Sequence, residues 1–197
     1  MLDRKSLAAV AVAACCGLTV AVVPSPQSQA LAQVRAQTPA RTQAVARDVT
    51  RAQAQERPRK GAVIAHLSIK RMRLKAQVRE GVSEAVLRHG AGHYPGTALP
   101  GHEGNTVLLG HRTTWLHPFN KLDRMKRGDR IVVRVGHTSY VYRVRSKHVI
   151  RPNDRSVLEP VPFDRGSAPD GRYITLITCT PKGSDRRRLV VIGKIDR

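Results

Sequence analysis

Two textures of apolar residues run along this chain. The first is an unbroken apolar stretch from Leu7 to Val23, interrupted only by the small residues Gly17 and Thr19. At 1.5 Å per residue it spans roughly 25 Å, the lower limit for a membrane helix. Asp3, Arg4 and Lys5 precede it, and a positive flank keeps that end inside while the bulk of the chain goes out. The expectation for residues 1–23 is an uncleaved signal-anchor or transmembrane helix. A cleaved signal peptide, or a lipid-attachment box at Cys15, are the alternatives. All three place the rest of the chain outside the membrane. Residues 24–60 are rich in Ala, Gln, Arg and Pro, with no sustained apolar face. They are expected to form a flexible linker, with an Ala-rich helix over Ala40 to Ala54 as the alternative.

The second texture begins at Gly61: short β-type runs separated by turn residues. Strands are expected over Ala62 to Ile69, Asn105 to Leu109, Arg130 to Val135, Ser139 to Arg145, Tyr173 to Thr178, and Leu189 to Ile192. Gly136-His137 joins two of them as a hairpin. Ser83 to Arg88 suggests a short helix with Ser83 as N-cap and Gly90 at its end. Phe119 to Met125 suggests a helical turn. Many short strands and few helices give an all-β domain, a barrel or a sandwich, over residues 61–197. That length is enough for one compact core.

Charge changes the picture little. The formal net charge is +21, spread along the chain, with Arg186-Arg187-Arg188 the one run. Such charge invites a nucleic-acid reading. Few aromatics are available to stack on bases, and no nucleic-acid-binding signature is seen, so no nucleic-acid partner is expected. A surface attracted to anionic lipids and wall polymers is the simpler account.

Three positions carry candidate chemistry. Of three cysteines, Cys15 and Cys16 lie in the apolar segment, which leaves Cys179 alone in the β-type region. A lone cysteine there is either a small buried hydrophobe or a reactive thiol. It follows a strand and precedes a Pro/Gly turn, a rigid yet accessible position. His111, one of eight histidines, also follows a strand and a glycine. It is either a surface histidine or a proton carrier. Arg188 opens the last strand on the same parity as Val190 and Ile192. It belongs either to a solvated basic run or to a site.

Taken together, these residues resemble a known family. Thr175-Leu176-Ile177-Thr178-Cys179 resembles the Thr-Leu-X-Thr-Cys signature of sortases, and Gly110-His111-Arg112 resembles their histidine motif. Arg188, nine positions after Cys179 and followed by Leu-Val-Val, is similar to their arginine motif. The segment from Gly92 to Gly101 is also sortase-like. The resemblance covers about Ile64 to Ile195. It implies a single closed β-barrel with short helices, behind an N-terminal membrane helix and linker.

The implied activity is that of a cysteine transpeptidase and endopeptidase. It would cut a C-terminal Leu-Pro-X-Thr-Gly or Leu-Ala-X-Thr-Gly sorting signal between Thr and Gly. Catalytic roles fall on His111, Cys179 and Arg188, and substrate-binding roles on Tyr94 and Thr178. The implied partners are surface proteins bearing the signal and an amine acceptor on a peptidoglycan precursor. No metal or other cofactor is expected. Tyr94 to Thr113 resembles classes E and D. The Thr178-Cys179-Thr180-Pro181 turn is similar to class C, whose second membrane helix and aromatic lid are not seen here. Two alternatives come from other classes: a non-catalytic basic envelope-binding domain, and an L,D-transpeptidase, which resembles Ser-X-Gly-Cys at its nucleophile rather than Thr178-Cys179.

Overall fold

The computed structural model describes residues 57–196. The expected membrane segment and most of the expected linker lie outside these residues. Among the described residues, no helix is long and apolar enough to cross a membrane.

Eight strands close into a barrel. They are β1 (Val63–Ile69), β2 (Leu74–Glu80), β3 (Ala91–His93), β4 (Gly104–Leu109), β5 (Arg130–Val135), β6 (Thr138–Ile150), β7 (Arg172–Thr180) and β8 (Arg187–Lys194). Around the barrel the order is β1-β2-β3-β4-β7-β8-β6-β5. Closure leaves no strand edge open, which is how an all-β domain of this size avoids an aggregation-prone edge. The interior is filled by alternate residues: Leu67 and Ile69 of β1, Ile131 and Val133 of β5, Tyr142 and Val144 of β6, Ile174 and Leu176 of β7, and Leu189 and Val191 of β8. Each fully buried Leu, Ile or Val contributes about 1.5–3 kcal/mol relative to exposure.

The expected strands are all present, and β2 and β3 are added to them. In β2, Leu74, Ala76 and Val78 alternate with Lys75, Gln77 and Arg79, but Lys, Gln and Ala are poor strand formers. Pairing with β1 through the 3-10 turn Lys70–Met72 forms it instead. Arg73, at φ 53°, reverses the chain there. β3 has three residues held between β2 and β4. β6 continues past Arg145 to Ile150, with a register shift between Val144 and Ser146 where it moves along β8. Such a bulge bends a strand, and here β6 pairs with β5 in its first half and β8 in its second. The short helix is Glu84–Leu87, here α1, with Ser83 at its N-cap but no side-chain cap bond. The expected turn near Phe119 is the 3-10 turn Leu122–Arg124.

Candidate active site

Successive side chains on a strand point to opposite faces. On β4, β7 and β8 the residues facing away from the barrel interior form a second, smaller cluster: Val107, Ile177, Val190 and Ile192, with Tyr94, Leu109, Ile150 and Leu158 packed against it. Cys179 lies two residues beyond Ile177 on that face. Its partner across the antiparallel pair is Arg188, two residues before Val190. β4 runs parallel to β7 with Leu109 opposite Ile177. Two residues beyond this last pair come His111, in the loop just after β4, and Cys179, still in β7. The pairing continues into this stretch: the Gly110 N–H donates to the Ile177 carbonyl at 3.1 Å. Cys179, His111 and Arg188 are therefore gathered on one outer face, at one end of three adjacent strands. The Cys179 thiol is free and partly exposed.

The loop that carries His111 is built around two neighbours. At Gly110, an added Cβ would lie 2.8 Å from the Phe119 ring and 2.9 Å from Pro118. Only glycine lets the backbone approach so closely. Arg112, 6 % exposed, points the other way and acts as a strut. Its guanidinium donates to the carbonyls of Asn120 at 3.1 Å and Cys179 at 3.3 Å, and to the Asp123 carboxylate at 3.0 Å. Burying a charge is costly unless it is paired and hydrogen-bonded, and here all three partners belong to the site or its support. One side chain thus fixes the His111 loop, the turn at Leu122 and the backbone of Cys179.

Thr178 is buried on the face opposite Cys179, and its hydroxyl donates to the Gly110 carbonyl at 2.7 Å. That bond locks the His111 loop to the Cys179 strand, while the hydroxyl faces away from the groove. Tyr94 does reach the groove, a cleft of about 140 Å³ lined by Tyr94, Leu109, Ile150, Leu158, Ile177 and Arg188 among others. Nη1 of Arg188 donates to the Asp185 and Arg187 carbonyls at 2.6 and 3.2 Å, so the β7–β8 connection orients it.

The segment bearing Tyr94 is fixed from below. His93, 2 % exposed, has Nδ1 2.7 Å from Glu80 and Nε2 3.1 Å from the Ala98 carbonyl. The Thr97 hydroxyl donates to the Tyr94 carbonyl at 2.7 Å.

The far wall of the cleft comes from the long β6–β7 connection. Buried Asn105 holds it: its amide donates to the carbonyls of Val157 at 2.8 Å and Glu159 at 3.0 Å, and its oxygen accepts from Thr175 at 2.8 Å. Asp154 caps the turn at Ser156, accepting from its backbone N–H at 3.1 Å and its hydroxyl at 2.6 Å. The Ser156 hydroxyl and then its N–H hold the Asp154 carboxyl below its usual range. A larger hollow of about 530 Å³ lies on β1, β2 and β5, lined by His66, Lys75 and Arg134 among others, with no cysteine in its lining.

A family model described as the sortase domain matches residues 67–196. The chain belongs to the sortase family. It is 39 % identical over 143 residues to sortase SrtE1 of Streptomyces coelicolor, covering 68 % of this chain and 41 % of that protein. It is 35 % identical over 130 residues to sortase SrtE2 of the same organism, covering 61 % of this chain and 50 % of that one. The chain thus spans about half the length of these relatives or less. Among solved structures, sortase E1 of Streptomyces coelicolor with a tripeptide in its active site superposes with a TM-score of 0.65. There the identity is 36 %, over 70 % of this chain and 90 % of that one.

For a sortase, the sequence already marks the Cys179, His111 and Arg188 motifs. It leaves the structural weight of Arg112 and Asn105 hidden. Arg112 stands inside the Gly110-His111-Arg112 motif, so a signal was there. Asn105 reads only as the start of a strand, and the wall it holds comes from a connection with no periodic pattern.

Proposed function

We propose that this chain is a class E transpeptidase that joins sorting-signal proteins to an amine of the cell wall. The observation that carries this reading is the register that gathers Cys179, His111 and Arg188 beside a cleft lined by Tyr94. In the first step, Sγ of the Cys179 thiolate attacks the Thr carbonyl carbon of a Leu-Pro/Ala-X-Thr-Gly signal. The Thr–Gly C–N bond breaks, a thioester forms, and His111 gives its proton to the leaving amine. In the second step, an acceptor amine attacks the thioester and gives its proton back to His111. The C–S bond breaks and the thiolate returns. Arg188 supplies positive charge where the carbonyl oxygen becomes negative. Tyr94 shapes the cleft for the residue after Leu in the signal.

The N-terminal 23 residues are proposed to anchor the domain in the membrane, with residues 24–60 as its tether and the catalytic face outside. The apolar run and its positive flank support that reading.

Mass spectrometry of the protein mixed with Leu-Pro-X-Thr-Gly and Leu-Ala-X-Thr-Gly peptides tests it. The expected result is a thioester on Cys179, discharged by an added amine. Cleavage of the Ala peptide is expected to exceed that of the Pro peptide, and Tyr94→Ala to narrow the gap. No adduct with either peptide would move the protein to the envelope-binding reading.

A further inference from the structure

His111 Nε2 is buried, yet among the described residues it has no hydrogen-bond partner. Leaving such an atom unpaired is costly. A carboxylate stands close to it: Oε2 of Glu84, on α1, is 3.8 Å from Nε2. The other oxygen, Oε1, is already engaged. It accepts from the Trp115 indole N–H at 3.0 Å and faces Nε of Arg88 at 3.6 Å. The Arg88 guanidinium also lies 4.1 Å over the Trp115 ring. Trp115 holds φ at 54°, a left-handed conformation that a bulky residue adopts only under constraint. One carboxylate oxygen is thus anchored by a strained aromatic residue and an arginine, and the other is left facing the imidazole.

We propose that Glu84 is a positioning residue for His111, holding the ring hydrogen on Nε2 and leaving Nδ1 to exchange protons with the substrate amine. This rests on the reading of His111 as the proton carrier. The hydrogen bond made by one ring nitrogen decides which nitrogen carries the proton, and a carboxylate acceptor fixes the hydrogen on the nitrogen it faces. At 3.8 Å the two atoms lie beyond hydrogen-bond distance. Contacts of this kind tighten when substrate excludes water from the site. Glu84 is 58 % exposed, so its side chain moves to Nε2 without repacking the barrel.

Glu84→Gln in the full chain tests this. The glutamine oxygen keeps the Trp115 bond, which turns its NH2 toward Nε2 and favours the opposite tautomer. With a Leu-Ala-X-Thr-Gly peptide, kcat is expected to fall about tenfold or more, with KM within about twofold, because the lost interaction serves the transition state. Nitrogen-15 NMR of labelled histidine should find the hydrogen on Nε2 in the native protein and on Nδ1 in E84Q. Glu84→Asp should restore part of kcat. A wild-type kcat in E84Q, or a hydrogen that stays on Nε2, overturns the proposal. His111→Ala separates it from the underlying reading. An inactive H111A beside a fully active E84Q sinks the Glu84 role alone, whereas a fully active H111A sinks both.

Discussion

The inward residues of β7 and β8, Ile174, Leu176, Leu189 and Val191, are packed among apolar neighbours and nearly or fully buried. The outward residues of the same two strands grade from the buried pair Ile177 and Val190 to the partly exposed pair Cys179 and Arg188. One face ends in oil and the other in chemistry, although the two are offset by a single residue along each strand. The period of two allows this, because a strand that is rigid on its inner face delivers fixed directions on its outer one. Stability and activity are therefore expected to separate cleanly by parity.

The sharpest break of that comparison uses neighbours of opposite parity. Cys179→Ala removes the proposed nucleophile without touching the core. It is expected to lower peptide cleavage by about a thousandfold or more, with Tm within about 2 °C of the native protein. Leu176→Ala leaves the groove intact but hollows the barrel, and is expected to cost about 2–5 kcal/mol. Urea unfolding and a peptide cleavage assay on both variants give the answer. A C179A protein that unfolds easily, or an L176A protein of native stability, would break the division between the faces.

Much of that division was legible in the sequence. The apolar alternation of β5, β7 and β8 shows which residues share the inner face, although the strand expected to stop at Thr178 runs on through Cys179 to Thr180, paired with Arg188 and Arg187. Less legible were β2 and β3, whose Lys, Gln, Ala and Gly residues carry little strand preference and become strands only because neighbours pair with them. Thr178 shows a different limit. The sortase resemblance implies a substrate-binding role for it, but strand parity turns its hydroxyl inward to the Gly110 carbonyl. The groove wall at Val157 and Leu158 has no local signal, because Asn105, more than fifty residues away in the chain, holds it.

Arg112 joins the two faces, since it is buried like a core residue yet bonded to the Cys179 carbonyl. Arg112→Met keeps the volume and strips the charge, leaving the Asn120 and Cys179 carbonyls short of a donor. Expected are a loss of about 1–3 kcal/mol in stability and a fall in kcat of about ten- to a hundredfold, from misplacement of the site. Arg112→Lys should recover little, because a single ammonium does not reproduce three spread contacts. A fall in stability with an unchanged kcat would place Arg112 wholly on the structural side.

Asn105→Ala acts on the groove face alone. The Val157 and Glu159 carbonyls lose their donor, and the wall they carry loosens. KM for the peptide is expected to rise several-fold while kcat changes less than twofold, the signature of lost uniform binding. Stability should drop by about 1–2 kcal/mol. An equal fall in kcat would mean that the wall also positions the reacting groups.

The smallest effect concerns pH and the same wall. Hydrogen bonds from Ser156 favour the ionised Asp154 carboxylate in the folded protein. A carboxyl held below its usual range binds its proton less readily folded than unfolded. Its contribution is therefore fully present above the ordinary carboxylate range, about pH 4 and higher, and is lost as pH falls through the lowered value. Asp129, held low despite its partial burial by Arg71 and the Lys126 N–H, follows the same sign on the barrel side. The protection factor of the Ser156 amide, which removes the intrinsic pH dependence of exchange, should fall as pH drops below about 4 in the native protein, and fall less in Asp154→Asn. Asp129→Asn should leave Ser156 exchange unchanged and lower Tm instead. If D129N loosened Ser156 as much as D154N, the barrel and the groove wall would melt as one unit, and the two faces of β7 and β8 would share a single stability.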